Sequence, residues 1–147
     1  MILLGSKVRC RLTGFTGMVD SRATYLYGCD RYCVQPRVGE DGKMPDSQMI
    51  DEPLLEVLEA PTIAGQPAPP PAFALGSAVR DPIRDMVGTA TGRAVYLNGC
   101  ARVLIEPKQT KSWWADEQQL IVLVKPPAAP VPEARKTGGP ARASSRY

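Results

Sequence analysis

The sequence predicts an all-β protein with two tandem small five-stranded barrels, a proline-rich linker between them and an extended C-terminal tail. Three observations lead to this fold class. Short runs of residues alternate between polar and apolar and are separated by glycine-containing turns. One such set of runs occurs twice, and the 15 prolines concentrate between and after the two copies. No run has the length and period of a helix of three turns.

The repeat is the strongest signal in the chain. Aligned without a gap from Leu4 and Leu75, the two copies are identical at 14 of 33 positions, where chance gives roughly two at ordinary composition. The phrase Tyr-Leu-x-Gly-Cys occurs in both, at residues 25–29 and 96–100. After a slip of six residues in a loop, the acidic corners 51–52 and 116–117 align again. A duplicated structural unit is therefore expected.

Each copy reads as five short strands. In the first copy a turn at residues 13–17 follows the first strand, and Tyr27-Gly28 supplies a second turn in which Gly28 takes a positive φ, as Gly99 does in the second copy. A closed barrel suits five short strands better than an open sheet, because closure removes the exposed edges. In the first copy, the predicted strands are residues 7–12, 18–26, 31–35, 49–50 and 54–58.

The predicted domain organisation follows the prolines and charges. The linker has five prolines and no charge in 14 residues, so it is expected to be extended and stiff, spanning at most roughly 40 Å. The first barrel carries a net charge of −2, the second +1 and the tail +4. By itself the tail is expected to be disordered. The boundaries are 1–60 for the first barrel, 61–74 for the linker, 75–124 for the second barrel and 125–147 for the tail.

The first copy opens with a strand, a glycine turn and a Gly-x-Val start to the next strand, at residues 8–19. This opening resembles SH3-like barrels of the KOW and Tudor kind. The whole unit, with LGSKVR, GFTG, YLYGC and RYCVQP ahead of LLEVLE, is similar to short single-barrel proteins encoded by tailed bacteriophages. That similarity covers residues 4–58 and 75–123, although the second copy has Asp81-Pro82 and Asp85-Met86 around the turn. It implies SH3-like barrels in a virion or phage-accessory context, and no particular chemistry.

The composition argues against several classes of protein. The chain has no histidine, which removes the commonest general base and metal ligand. Its four cysteines contain no C-x-x-C pair of the zinc type. We therefore expect no enzyme, no metal and no cofactor. No stretch approaches the roughly 18 apolar residues of a membrane span, and the N-terminus is too short and uncharged for a signal peptide, so no membrane partner is expected.

Aromatic residues are the first candidates for partner binding. Tyr25 and Tyr96 form either a partner-binding patch at the end of the long hairpin or part of the barrel core. Trp113 and Trp114 are adjacent, so one ring should point inward and the other outward along a strand. An exposed tryptophan is a good anchor for a neighbouring protein. In the alternative, both rings cover the barrel mouth.

Basic residues are the second set of candidates. Three arginines recur in both copies, at positions 9, 22 and 31 and at positions 80, 93 and 102. They either contact phosphates or form salt bridges with the repeated acidic corners, and the near-neutral units favour the salt bridges. The basic residues of the tail are further candidates for partner contact: Lys125, Arg135, Lys136, Arg142 and Arg146.

The cysteines leave alternatives open. The matched pair Cys29 and Cys100 are either small buried hydrophobic residues or thiols that cross-link neighbouring subunits after cell lysis. Cys10 and Cys33 occur only in the first copy. They either form a bridge or arose as independent substitutions.

The leading hypothesis is a phage virion protein, made in the host bacterial cytoplasm. It would decorate or cement the capsid, binding adjacent sites on the major capsid protein or other virion proteins through two barrels and extended arms. A neck or tail component is an alternative. So is a KOW- or Tudor-like accessory protein that binds nucleic acid, for which the basic tail offers a contact.

Overall fold

The computed structural model describes residues 1–126 as one open antiparallel sheet of ten strands. The all-β prediction is confirmed, and the five strands predicted in the first copy have ends within two residues of those expected. The predicted tail beyond Pro126 lies outside the described residues. The first copy contains β1 (Lys7–Cys10), β2 (Thr16–Tyr25), β3 (Arg31–Gln35), β4 (Gln48–Asp51) and β5 (Leu55–Glu59). The second contains β6 (Ala78–Asp81), β7 (Met86–Tyr96), β8 (Ala101–Glu106), β9 (Trp113–Asp116) and β10 (Ile121–Val124).

Both copies have the same strand order. The first runs β5-β1-β2-β3-β4 and the second β10-β6-β7-β8-β9. A short 3₁₀ turn, Glu52–Leu54 or Glu117–Gln119, leads into the last strand of each copy. Closure of the barrels is not confirmed, because within residues 1–126 no ladder pairs β4 with β5 or β9 with β10. The SH3-like description therefore remains a proposal.

The two copies are joined directly by backbone hydrogen bonds between β2 and β7. Ala23 pairs with Ala94, its own counterpart in the repeat, while Ser21 pairs with Tyr96 and Tyr25 with Gly92. The flanking bonds are also equivalent: the Leu26 amide donates to the Thr91 carbonyl at 2.8 Å, and the Leu97 amide to the Asp20 carbonyl at 2.9 Å. The copies are therefore related by an approximate two-fold axis that passes near the two alanines.

The length of β2 and β7 makes this junction possible. The first half of β2 pairs with β1, and the second half extends beyond β1 to reach β7. The register of each long strand shifts once, at Asp20 in β2 and at Thr91 in β7. Such a bulge reverses which face the following side chains occupy. Val19, before the bulge, points into the first core. Ser21 and Ala23, after the bulge, point to the opposite face of the sheet.

The linker does not act as an independent spacer between the two copies. It has no strand, as expected for its prolines, but it lies along the second copy. The Gln66 amide donates to the Leu97 carbonyl at 2.9 Å, and the Pro69 carbonyl accepts from Arg93 Nη2 at 2.8 Å. Phe73 packs against the second core. The junction and the linker together fix the second copy against the first.

The two cores are formed by residues at equivalent positions of the repeat, but several of their side chains differ. The first core contains the fully buried Tyr32, whose hydroxyl accepts a hydrogen bond from the Ile2 amide at 3.0 Å. Its counterpart in the second core is Val103. Phe73 replaces Ile2, and Trp113 packs where the first copy has Gln48. The larger residues at the margin of the second core compensate for the smaller one at its centre.

Asp81 is a buried carboxylate at the turn between β6 and β7, at the position that Cys10 occupies in the first copy. Its oxygens accept hydrogen bonds from Trp113 Nε1 at 2.9 Å, from Gln119 Nε2 at 3.0 Å and from Arg84 Nη1 at 3.0 Å. The Ile83 amide also donates to it. Burial opposes ionisation, but the donated hydrogen bonds outweigh it and hold the pKa of Asp81 below its usual value.

Replacing Asp81 with Asn should therefore destabilise the protein in a pH-dependent way. At neutral pH we expect a loss of about 2 kcal/mol in the free energy of unfolding, because the charged acceptor of three side chains is lost. Since the folded pKa lies below 3.8, the advantage of the wild type is complete above that pH and declines as the pH falls through the folded value. Denaturant unfolding of both proteins across the acid range measures it.

The control is Asp116→Asn, which removes an exposed carboxylate paired with Arg102 in the same copy. It should change the free energy of unfolding by less than about 1 kcal/mol. A stability difference for Asp81→Asn that is no larger than the control, or that grows on acidification, would contradict the role assigned to this carboxylate.

Candidate functional site

A cleft lined by aromatic residues lies on the junction between the two copies. After the bulges, one face of the β2–β7 ribbon presents Ser21, Ala23 and Tyr25 from β2 and Ala94 and Tyr96 from β7. Trp114 in β9, with Cys33 and Met49 in β3 and β4, borders this face. The space between them is a cleft of about 230 Å³. Three of the four aromatic residues predicted to bind a partner, Tyr25, Tyr96 and Trp114, thus line one site.

The two tyrosines hold equivalent positions across the approximate two-fold axis. The Tyr25 ring lies against Gly92, where a Cβ atom would come within 3.1 Å of the ring carbon Cδ1. Tyr96 lies opposite Ser21, and the Arg102 guanidinium is 5.6 Å from the centre of its ring. Burial raises the pKa of Tyr96, so its hydroxyl stays neutral at physiological pH. Both rings belong to the junction itself, so a partner bound to them contacts both copies.

The two tryptophans lie on opposite faces of β9, as predicted. Trp113 packs against the second core and donates from Nε1 to Asp81, with the Arg84 guanidinium 5.9 Å from its ring centre. Trp114 points the other way, into the cleft. The alternative in which both rings cover one barrel mouth is therefore wrong. Trp113 stabilises the fold, and Trp114 is the tryptophan available to a partner.

The chemistry of the cleft is mainly apolar, with one acid at its border. The Asp20 carboxylate lies beside the aromatic and alanine residues and accepts a hydrogen bond from the Ser21 hydroxyl at 3.1 Å. Such a site can hold an apolar or aromatic side chain of another protein while the carboxylate accepts a hydrogen bond. Sequence analysis missed Asp20 and Ser21, because the bulge that reverses the faces of β2 has no distinctive residue. It missed Met49 because the cleft depends on long-range strand pairing.

The repeated arginines are engaged with carboxylates. Arg31 and Arg102 contact Asp51 and Asp116 in the predicted acidic corners, at 2.7 and 3.2 Å. The half-buried Arg93 donates to both oxygens of the buried Glu117, at 2.8 and 3.0 Å. The salt-bridge prediction is confirmed for these three. The other three pair with acids that the prediction did not name: Arg9 with Glu56, Arg22 with Asp30 and Arg80 with Asp85.

The opposite face of the ribbon contains a second cavity, of about 370 Å³. It is lined by Arg22 and Arg93, by Val95 and by Phe73 and Pro71 of the linker. Both arginines already form ion pairs with carboxylates, so this cavity has little positive charge left to bind a ligand. The aromatic cleft is the better candidate site.

The cysteine predictions need correction. Cys29 and Cys100 are exposed rather than buried, because each follows the glycine of the turn after the long strand and points away from the core. The predicted positive φ of those glycines, Gly28 and Gly99, is confirmed at 104° and 89°. All four thiols are free. A Cys10–Cys33 bridge is excluded in this fold, since Cys10 lies in the first core and Cys33 on the opposite face.

Of the five basic tail residues predicted to contact a partner, one lies within the described residues. Lys125 is exposed directly after β10. Arg135, Lys136, Arg142 and Arg146 lie outside the described residues. Among the helices of residues 1–126, none has the length and apolar character needed to cross a membrane.

Comparisons with family models, with curated proteins and with solved structures find no match to this chain.

The positions of the thiols predict a clear order of reactivity. In the folded protein, Cys29 and Cys100 should react at once with an aromatic disulfide reagent, because they are exposed. Cys33 should react more slowly, since it is partly buried and burial raises its pKa. Cys10 is 3% exposed and should react only on unfolding, although hydrogen bonds from Thr13 lower its pKa. Mass spectrometry of the labelled peptides measures the order.

The denatured protein serves as the control, in which all four thiols should react. Rapid labelling of Cys10 in the native state, or protection of Cys29 and Cys100, would contradict this arrangement.

Proposed function

We propose that this protein is a structural interaction protein of a tailed-phage particle, where it decorates or cements the capsid. The observation that carries the proposal is the aromatic cleft formed by Tyr25, Tyr96 and Trp114 at the junction of the two copies. Clustered, partly buried aromatic residues are the usual anchors of protein interfaces. The sequence resemblance to single-barrel phage proteins supplies the setting.

Each copy is proposed to be an SH3-like unit. In its support, the strand order β5-β1-β2-β3-β4 is a meander whose last strand returns to the first, and a 3₁₀ turn precedes that last strand. The second copy has the same order and the same turn. A small unit of this kind presents loops and turns at its ends while its core stays intact.

The proposed mechanism is a rigid double contact. The β2–β7 ladder holds the two copies in one orientation, so their surfaces are presented at a fixed separation and with approximate two-fold symmetry. When one copy binds, the second is already in place, which reduces the entropy lost on the second contact. Such a rigid pair suits a shell with regularly spaced sites, and it resists changes in their spacing.

Replacing Trp114 with Ala should weaken attachment to the particle. The test uses phage particles that lack the protein, to which purified wild-type and variant chains are added. Removing an interface anchor typically weakens binding by roughly tenfold or more, so the occupancy of Trp114→Ala should fall well below that of the wild type at equal concentration. Tyr96→Ala should weaken binding in the same direction. Quantitative mass spectrometry of the purified particles measures occupancy.

The matched control is Tyr27→Ala, because Tyr27 is an aromatic residue that is 85% exposed and lies outside the cleft. Its occupancy should equal that of the wild type, and thermal unfolding should establish that each variant is folded. The proposal fails if the wild type does not associate with particles, or if the cleft variants bind as well as the control. Electron microscopy of decorated particles then separates a capsid position from the neck or tail.

A nucleic-acid accessory protein is the second candidate, favoured by the +4 net charge of residues 125–147. The ion pairs of the repeated arginines argue against a phosphate-binding surface on the folded units. Filter binding at two salt concentrations tests it, since binding through phosphates weakens steeply with salt. Salt-sensitive binding of DNA or RNA would favour the second candidate, and its absence the first.

A further inference from the structure

The edge strand of the second copy has lost the charges that protect the edge of the first. At the first edge, Glu56 and Glu59 of β5 form ion pairs with Arg9 and Lys7 of β1. In β10 the corresponding residues are Ile121 and Val124. Charged side chains on an edge strand are a common means of preventing pairing with another chain. The first edge has this protection, and the second does not.

Strands β6 and β7, which follow β10 in the sheet, have also lost polar side chains near this edge. Ala78 in β6 replaces Lys7, and Val87 in β7 replaces Thr16. Arg80 is retained but contacts Asp85 in the neighbouring turn instead of an acid on the edge strand. In the register of the sheet, Ile121, Arg80 and Val87 form one row, and Val124, Ala78 and Thr89 the next. The outer face beside the edge is therefore largely apolar.

These apolar side chains are exposed. Ile121 is 46% exposed, Leu123 48% and Val124 64%. Within the described chain β10 pairs only with β6, so the backbone groups that point away from β6 are not used in a ladder. Both edges have a bulge at the equivalent leucine, Leu58 or Leu123, so the bulge does not distinguish them. The difference between the two edges lies in charge.

We propose that β10 pairs antiparallel with β10 of a second copy of this chain, forming a two-fold symmetric dimer with one continuous sheet. This inference does not depend on the proposed function. Within residues 1–126, the strands with an unpaired edge are β4, β5, β9 and β10, and of these only β10 has no acidic residue. Charge therefore favours the second copy's β10 as the occupant. Two β5 edges would bring glutamates of like charge together, and β5 against β10 would place Glu56 and Glu59 against apolar residues. Two β10 edges bring together only uncharged side chains.

The residues beyond β10 also fit this arrangement. When two antiparallel β10 strands are centred between Val122 and Leu123, each Lys125 lies beside Leu120 of the second copy and not beside the other Lys125. The two positive charges are then at opposite ends of the paired strands. A symmetric contact of this kind closes on itself, so it yields a dimer and not a fibre.

The test restores the charges of the first edge. The double variant Ile121→Glu/Val124→Glu introduces the residues that β5 has at the same positions, and Arg80 beside position 121 provides the partner that Arg9 gives to Glu56. Sedimentation of the full chain over a wide concentration range should give twice the 15.9 kDa chain mass for the wild type. Because like charges now face each other across the dimer, the variant should dimerise at least about tenfold more weakly.

The matched control is Leu12→Glu/Ile83→Glu, which adds the same charge at two equivalent turn positions that are 76% and 72% exposed. It should dimerise like the wild type. A second measurement needs no variant: amide hydrogen exchange in β10 of the wild type should slow as the protein is concentrated, whereas exchange in β5 should not change. A wild type that stays monomeric, a charged edge that dimerises normally or exchange in β10 that is independent of concentration would each overturn the proposal.

Discussion

The pairing of β2 with β7 is the interaction on which the rest of the structure depends. It joins two five-stranded units into one sheet and places Ala23 opposite its repeat counterpart Ala94. The aromatic cleft exists only because this ladder brings Tyr25 and Tyr96 to one face. The linker then lies on the second copy, with Arg93 contacting both Glu117 and the Pro69 carbonyl. Without the ladder, the same units would be two small domains with separate surfaces.

Duplication gave two equivalent backbones whose side chains have since diverged. Cys10 in the first core corresponds to Asp81, which organises the turn of the second copy through hydrogen bonds. Met49 corresponds to Trp114, so the cleft has a thioether on one side and an indole on the other. The divergence leaves the approximate symmetry of the backbone intact but makes the side chains of the two copies chemically different.

Local pattern was sufficient to predict the strands but not their closure or the junction. Alternation along residues 7–10 and 31–35, and the turn glycines Gly28 and Gly99, indicated the elements within two residues. The ladder between β2 and β7 is a long-range pairing, and nothing in either strand alone specifies the partner of its second half. The bulge at Asp20 reverses the face of Ser21 and Ala23 without a distinctive residue. The sequence left burial or exposure of Cys29 and Cys100 undecided, because turn geometry and not hydrophobicity sets their direction.

Scanning calorimetry of the full chain tests most directly whether the β2–β7 ladder makes the two copies one cooperative unit. If it does, unfolding is a single transition whose calorimetric enthalpy equals its van't Hoff enthalpy. Two resolved transitions, or a calorimetric enthalpy about twice the van't Hoff value, would mean that the copies unfold independently. Independent unfolding would contradict the central role of the β2–β7 junction.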